Sequence, residues 1–152
     1  MVDVGEKAPD FELVSDEGER VQLSDFREQR VVIYFYPKAD TPGCTKQACA
    51  LRDAYPEIEA NDAVVIGISP DKPEALRKFR AKYELPFILL SDPTHEVAEA
   101  YGAWGEKKMY GKTYEGIIRS HFVVDEEGHV AEADLNVKPL STADVALKIV
   151  SV

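Results

Sequence analysis

The chain predicts an α/β fold with a mixed central sheet flanked by helices, and three observations carry that prediction. Residues 31–36 (Val-Val-Ile-Tyr-Phe-Tyr) and 64–68 (Val-Val-Ile-Gly-Ile) are short, almost wholly apolar runs, as expected of strands covered on both faces. Helical periodicities alternate with such runs along the middle of the chain, the order of βαβ units. Two turn-rich tetrads, Ser15-Asp16-Glu17-Gly18 and Asp125-Glu126-Glu127-Gly128, separate pairs of short apolar segments and read as hairpins, which makes the sheet mixed rather than parallel throughout.

Each element follows from local signals. Residues 11–14 and 21–23 flank the first tetrad and form an N-terminal hairpin. The strand at 31–36 leads to a helix from about Pro42, where Cys44, Ala48, Leu51, Tyr55 and Ile58 form one apolar stripe. Pro56 lies inside that pattern and is expected to kink or split the helix. After the strand at 64–68, Asp71 followed by Glu74 reads as a capped start of a helix that buries Leu76, Phe79 and Tyr83. Residues 87–90 form a short strand, and Asp92-Pro93 opens a helix through Ala100. Residues 117–124 and 129–133 are strands around the second tetrad, with Arg119 inside the first. Ser141 and Asp144 cap a last helix carrying Val145, Ile149 and Val150. Residues 104–116 are left as the one long irregular stretch, which in a small domain points to function or mobility. No repeat, low-complexity tract or linker interrupts the 152 residues, so 1–152 is expected to be one domain.

Bulk properties narrow the function. A formal net charge of −10 disfavours binding to nucleic acid or to an anionic membrane. The bases and aromatics of residues 104–114 are therefore read as a packed loop near the active site rather than a nucleic-acid patch. The polar N-terminus lacks an apolar signal core, and no run approaches the ~18 apolar residues of a membrane span, so a cytoplasmic location is expected. In that compartment two cysteines are more often catalytic than structural.

Those cysteines, Cys44 and Cys49, are the chemical centre of the sequence. Cys44 lies at the predicted helix start, where the positive end of the helix dipole favours a thiolate. From Tyr36 to Asp53 three bases face two acids, a local positive balance in an acidic chain. Five residues turn an α-helix by about 140° and advance it about 7.5 Å, which sets the two Cα atoms about 8–9 Å apart. A disulfide needs Cα atoms within about 7 Å, so direct reaction of the two thiols requires the first turns to unwind. Plainer readings stand beside this one: a cysteine on an apolar stripe is most often a small core hydrophobe, and Cys49 on the opposite face could be incidental. C-x4-C is not a standard zinc spacing, and the C-x-x-C of exchange proteins is absent.

The segment Pro37-x-x-x-Thr41-x-x-Cys44 resembles the active-site motif of peroxiredoxins, and Cys49 five residues on resembles the peroxiredoxin Q or bacterioferritin comigratory protein subgroup. The similarity runs through residues 8–11, 34–37, 101–108 and 116–119 and so covers nearly the whole chain. It implies a thioredoxin-like fold and thiol-dependent reduction of hydrogen peroxide and organic hydroperoxides. Carried over residue by residue, it makes Cys44 the peroxidatic nucleophile and Cys49 the resolving thiol of an intramolecular Cys44–Cys49 disulfide. Thr41 and Arg119 become catalytic. Pro37 shields the thiolate, and Gly43, Thr41, Pro37 and Arg119 meet the peroxide. On local grounds alone Thr41 is an N-cap and Arg119 an exposed strand residue. His121 shares the face of Arg119 and is read as a neutral structural or surface residue. His95 and His129 are given no role. The resemblance implies no haem, flavin or metal, a monomer, and a thioredoxin or glutaredoxin-like protein as reductant. The alternative function is a peroxide-responsive redox sensor without fast turnover. A weaker third reading is a binding domain with inert thiols.

Overall fold

The fold is described from a computed structural model, whose described residues are 2–150, with the side chains of Met109 and Val150 excluded. Seven strands form the main sheet: β1 (Glu12–Ser15), β2 (Arg20–Gln22), β3 (Arg30–Phe35), β4 (Ala63–Ser69), β5 (Ile88–Ser91), β8 (Ser120–Val124) and β9 (Val130–Asp134). Their order is β2-β1-β5-β4-β3-β8-β9. β3, β4 and β5 run parallel, while β1, β8 and β9 pair antiparallel with their neighbours. The sheet is mixed, as predicted, and both expected hairpins are present.

Alternation along β3 divides the core. Val31, Ile33 and Phe35 point to one face, where they meet Tyr101, Phe122 and Ile117. Val32, Tyr34 and Tyr36 point to the other and pack with Cys44, Ala48, Leu51, Leu76 and Phe79. The second face carries α1 (Pro42–Ala60), α2 (Pro73–Tyr83) and α4 (Ser141–Val150), while α3 (Glu96–Tyr101) lies on the first. Two successive crossovers, β3-α1-β4 and β4-α2-β5, step the same way across the sheet, so a common handedness puts α1 and α2 on one face. Gly67 on β4 makes room there: a Cβ at this position would lie 2.8 Å from Tyr34 Cζ.

The structure departs from the sequence expectations at several places. Residues 104–116 are not irregular. They form an antiparallel ribbon of β6 (Trp104–Met109) and β7 (Lys112–Ile117), closed by Tyr110-Gly111 with φ of 52° and 76°. Positive φ at both central residues is the signature of a type I′ turn. The ribbon lacks apolar alternation because most of β7 is exposed. Its base is fixed by His95, whose ring stacks on Trp104 at 3.7 Å. α1 runs unbroken through Pro56, an exposed position where solvent can satisfy the carbonyl that loses its amide partner. Asp71 does not cap α2, whose N-cap is Lys72. Asp92 does not open a helix directly: α3 begins at Glu96, and the Asp92 carboxylate accepts from the amides of Val97 and Ala98. Ser141 is already helical, and α4 turns Thr142, Ala143 and Ala146 most deeply inward, with Val145 and Ile149 only partly covered. The expected strand at 117–124 is broken at Ile118-Arg119, with Ile117 ending β7 and Ser120 starting β8.

Candidate active site

The site lies where β3 ends and α1 begins. β3 delivers Tyr36 and Pro37 to the C-terminal edge of the sheet, a usual position for α/β sites. Residues 38–41 then cross to the helix and are held from several sides. The Asp71 carboxylate accepts from the Ala39 amide at 2.7 Å and from the Ser69 hydroxyl at 2.8 Å, which explains its absence from the α2 cap. Asp40, at φ 60°, accepts from Lys82 Nζ at 2.9 Å and from the Tyr83 hydroxyl at 2.8 Å. These two bonds hold its carboxyl below its ordinary range, the Lys82 bond contributing most. α2 thus anchors the loop that leads into the first turn of α1.

Cys44 is the third residue of α1 and is 2% exposed. Arg119 comes to it from the break between β7 and β8. Because Phe35 pairs with Ser120, the preceding residue stands just past the last rung, beside the Tyr36-Pro37 exit. The Val137 amide donates to the Arg119 carbonyl at 2.9 Å and holds that backbone. The guanidinium places Nη2 3.5 Å from Cys44 Sγ and donates through Nη1 to Gln47 Oε1 at 2.6 Å. The arginine therefore faces α1, not solvent. Gly43 leaves the gap it occupies, since a Cβ there would lie 3.0 Å from Nη2. A fixed cation at this distance can stabilise negative charge that develops at or beside the sulfur.

Pro37 and Arg119 line a pocket of about 360 Å³ together with Glu106, Lys107, Lys108, Ile118 and Asn136. The ribbon thus forms one wall, and the location near the site expected for residues 104–114 holds although their loop character does not. Partial burial, then repulsion from Arg119, lowers the pKa of Lys107. Beneath the site Tyr34 is fully buried, and that burial foremost raises its pKa and keeps its phenol protonated.

Thr41 occupies the N-cap position, but its hydroxyl makes no capping bond; it donates instead to the Lys38 carbonyl at 2.7 Å. The oxygen's remaining lone pairs stay available as acceptors. Cys49 lies half-buried on the same intact helix, and both thiols are free. Three residues on, the Arg52 guanidinium donates to the Tyr83 carbonyl at 2.8 Å and to Asp53 Oδ1 at 3.1 Å. The structure therefore gathers Cys44, Gly43, Arg119 and Pro37, with Thr41 at the helix start, and leaves Cys49 apart.

Gln47 was not singled out from the sequence, although a polar residue three positions after Cys44, on the inward face of the helix, was a usable signal. It is fully buried and donates through Nε2 to Thr142 Oγ1 at 2.9 Å. Thr142 is also 2.9 Å from His121 Nδ1, and His121 Nε2 is 3.0 Å from Asp134 Oδ2. His121 is thus the neutral structural histidine of the two readings. Its burial lowers its pKa, against the smaller opposing effect of Asp134. Among the described residues His121, Glu132 and Asp134 form the single grouping with potential metal-ligand atoms within 4.8 Å of one another. Its histidine and Asp134 already bond each other.

Comparison with known proteins agrees with this geometry. Residues 4–133 match the AhpC/TSA family. The chain is 50% identical over 143 residues to peroxiredoxin Bcp of Escherichia coli K12, covering 94% of this chain and 92% of that protein. It is 47% identical over 153 residues to peroxiredoxin Bcp of Bacillus subtilis 168, covering 92% and 98%. A structure of the Xanthomonas campestris bacterioferritin comigratory protein, from work on its alkyl peroxide reduction with trapped intermediate and ligand complexes, matches with a TM-score of 0.90. That match has 33% identity and covers 98% of each chain. A buried cysteine at a helix start, an arginine folded over it and these relatives together place the chain in the AhpC/TSA family, as a thioredoxin-like peroxiredoxin of the Bcp or peroxiredoxin Q type and a thiol-dependent peroxidase.

Proposed function

We propose that Cys44 is the peroxidatic cysteine, Cys49 the resolving cysteine, and hydrogen peroxide or an organic hydroperoxide the substrate. The observation that carries the first assignment is that Arg119, which lines an open pocket, sets its guanidinium 3.5 Å from Cys44 Sγ. The Cys44 thiolate attacks the terminal peroxide oxygen. The S–O bond forms as the O–O bond breaks, and the departing alkoxide or hydroxide takes a proton to leave as alcohol or water. Sulfur loses two electrons to the peroxide and becomes a sulfenic acid. Arg119 stabilises the thiolate and then the charge developing on the oxygens. Gly43 and Pro37 bound the approach path, and Thr41 Oγ1 accepts a hydrogen bond from the incoming hydroperoxide while its own hydroxyl donates to the Lys38 carbonyl.

Cys49 then attacks the sulfenic sulfur, water departs, and a Cys44–Cys49 disulfide results. Helical spacing keeps the Cα atoms about 8–9 Å apart, so the first turns of α1 unwind for this step. A thioredoxin, or a glutaredoxin-like dithiol protein, reduces the disulfide. No helix among the described residues is long and apolar enough to cross a membrane. Taken with the acidic surface, this supports a cytoplasmic enzyme. One sheet carries both core clusters, which supports 1–152 as a single domain. The exposed large apolar side chains Val4, Val14, Tyr110, Tyr114 and Leu140 belong to separate segments and the projecting ribbon, in keeping with a monomer.

The test is peroxide-dependent NADPH oxidation through thioredoxin reductase and thioredoxin. Sustained turnover is expected; oxidation of the thiols without turnover would make the protein a sensor instead. In the same system Arg119→Ala should lower the second-order rate with peroxide about 100-fold and reduce the ultraviolet thiolate absorbance at neutral pH. An unchanged rate would remove Arg119 from the mechanism.

A further inference from the structure

Arg119 is held by a buried chain of hydrogen bonds that crosses the helix layer and ends at the sheet edge. Arg119 Nη1 reaches Gln47 Oε1 at 2.6 Å, and Gln47 Nε2 reaches Thr142 Oγ1 at 2.9 Å. Thr142 Oγ1 lies 2.9 Å from His121 Nδ1, and His121 Nε2 lies 3.0 Å from Asp134 Oδ2. Gln47, Thr142 and His121 are each at most 1% exposed. α1, α4, β8 and β9 contribute one residue apiece.

The two ends fix the polarity of the outer bonds, and the neutral state of His121 fixes the one between Thr142 and the ring. A guanidinium only donates, so the Gln47 amide must present oxygen to Arg119 and N–H to Thr142. A carboxylate only accepts, so His121 carries its proton on Nε2 and donates that N–H to Asp134. In the neutral ring that burial favours, Nδ1 is then a bare acceptor, and the Thr142 hydroxyl donates to it. With His121 neutral, one arrangement of protons satisfies the whole chain.

We propose that Thr142 and His121 are positioning residues for peroxide reduction, which act on Arg119 by fixing the orientation of Gln47. The proposal rests on the reading of Arg119 as the group that stabilises the Cys44 thiolate. Arg119 is a long, half-buried side chain reaching Cys44 Sγ only at 3.5 Å. Its alignment depends on the short bond to Gln47. Without the Thr142 hydroxyl, the Gln47 N–H and His121 Nδ1 are both left buried without their partner. Gln47 then gains by turning its amide away to find another, and its grip on Arg119 loosens.

The experiment is a double-mutant cycle read as the second-order rate of Cys44 oxidation by stoichiometric hydrogen peroxide. Thr142→Val removes the hydroxyl at nearly constant volume and should slow oxidation about fivefold, the worth of one net hydrogen bond. Thr142→Ser, which keeps the hydroxyl, should restore the rate. In the Arg119→Ala background Thr142→Val should cause no further loss, because the relay has nothing left to orient. His121→Phe supplies the same cycle from the far side of the relay if Thr142→Val does not fold. An undiminished rate in Thr142→Val, or equal slowing with and without Arg119, overturns the proposal, since a general loosening of the fold would act in both backgrounds. If Arg119→Ala itself leaves the rate unchanged, the reading of the site fails and the relay falls with it.

Discussion

Replacement of Cys44 by serine should abolish peroxide reduction, with a loss on the order of 10⁶-fold, as when other obligatory nucleophiles are removed. A serine hydroxyl stays protonated at neutral pH, and the Arg119 guanidinium beside it, which only donates, cannot take up its proton. Gln47, Thr142 and His121 would remain in place, because none of their bonds involves Cys44. The fold should also survive, since sulfur and hydroxyl differ little in volume at a position that only lines the second core cluster. The check is peroxide consumption coupled to thioredoxin, with thermal denaturation run in parallel. Turnover retained in Cys44→Ser would assign the chemistry elsewhere, with Cys49 the sole remaining thiol.

Cys49→Ser should separate the two halves of the cycle. The variant should consume one equivalent of peroxide at the wild-type rate, because Cys49 is not among the groups around Cys44 and Arg119. It should not turn over, holding Cys44 as a sulfenic acid that excess peroxide carries more slowly to the sulfinic form. Mass spectrometry after titration with peroxide reads both outcomes: oxygen added at Cys44 in the variant, and two hydrogens lost without added oxygen in the wild type. Robust thioredoxin-driven turnover by Cys49→Ser would mean that the reductant attacks the sulfenic acid directly and that Cys49 does not resolve it.

The sequence was most informative where burial is two-sided. The run at 31–36 announced β3 because a strand covered on both faces has no polar alternation to blur it. The stripe from Cys44 to Ile58 likewise announced α1 and put Cys44 inward. The ribbon at 104–117 was illegible for the opposite reason: much of it is exposed, so neither face carries an apolar pattern, and Tyr-Gly is a weak version of the usual turn pair. Arg119 shows how a local rule fails. Within an unbroken strand its direction would follow from alternation, but the break at Ile118-Arg119 removes it from the ladder and frees it to reach α1. Asp71 carries a capping signal, yet its carboxylate is claimed by the Ala39 amide and the Ser69 hydroxyl. Gln47, Thr142, His121 and Asp134 are far apart in sequence, and only the packing of α4 on α1 and the β8–β9 register bring them into one chain.

The two cysteines share one helix and yet are kept apart by it, so disulfide formation requires a conformational change in α1. Amide hydrogen exchange over residues 45–50, the first of which donates to the Thr41 carbonyl, compared before and after one equivalent of hydrogen peroxide, tests this most directly. Protection should be high in the reduced protein, collapse on oxidation of the wild type as the Cys44–Cys49 disulfide forms, and persist on oxidation of Cys49→Ser. A disulfide between Cys44 and Cys49 formed with protection of these amides unchanged would contradict it.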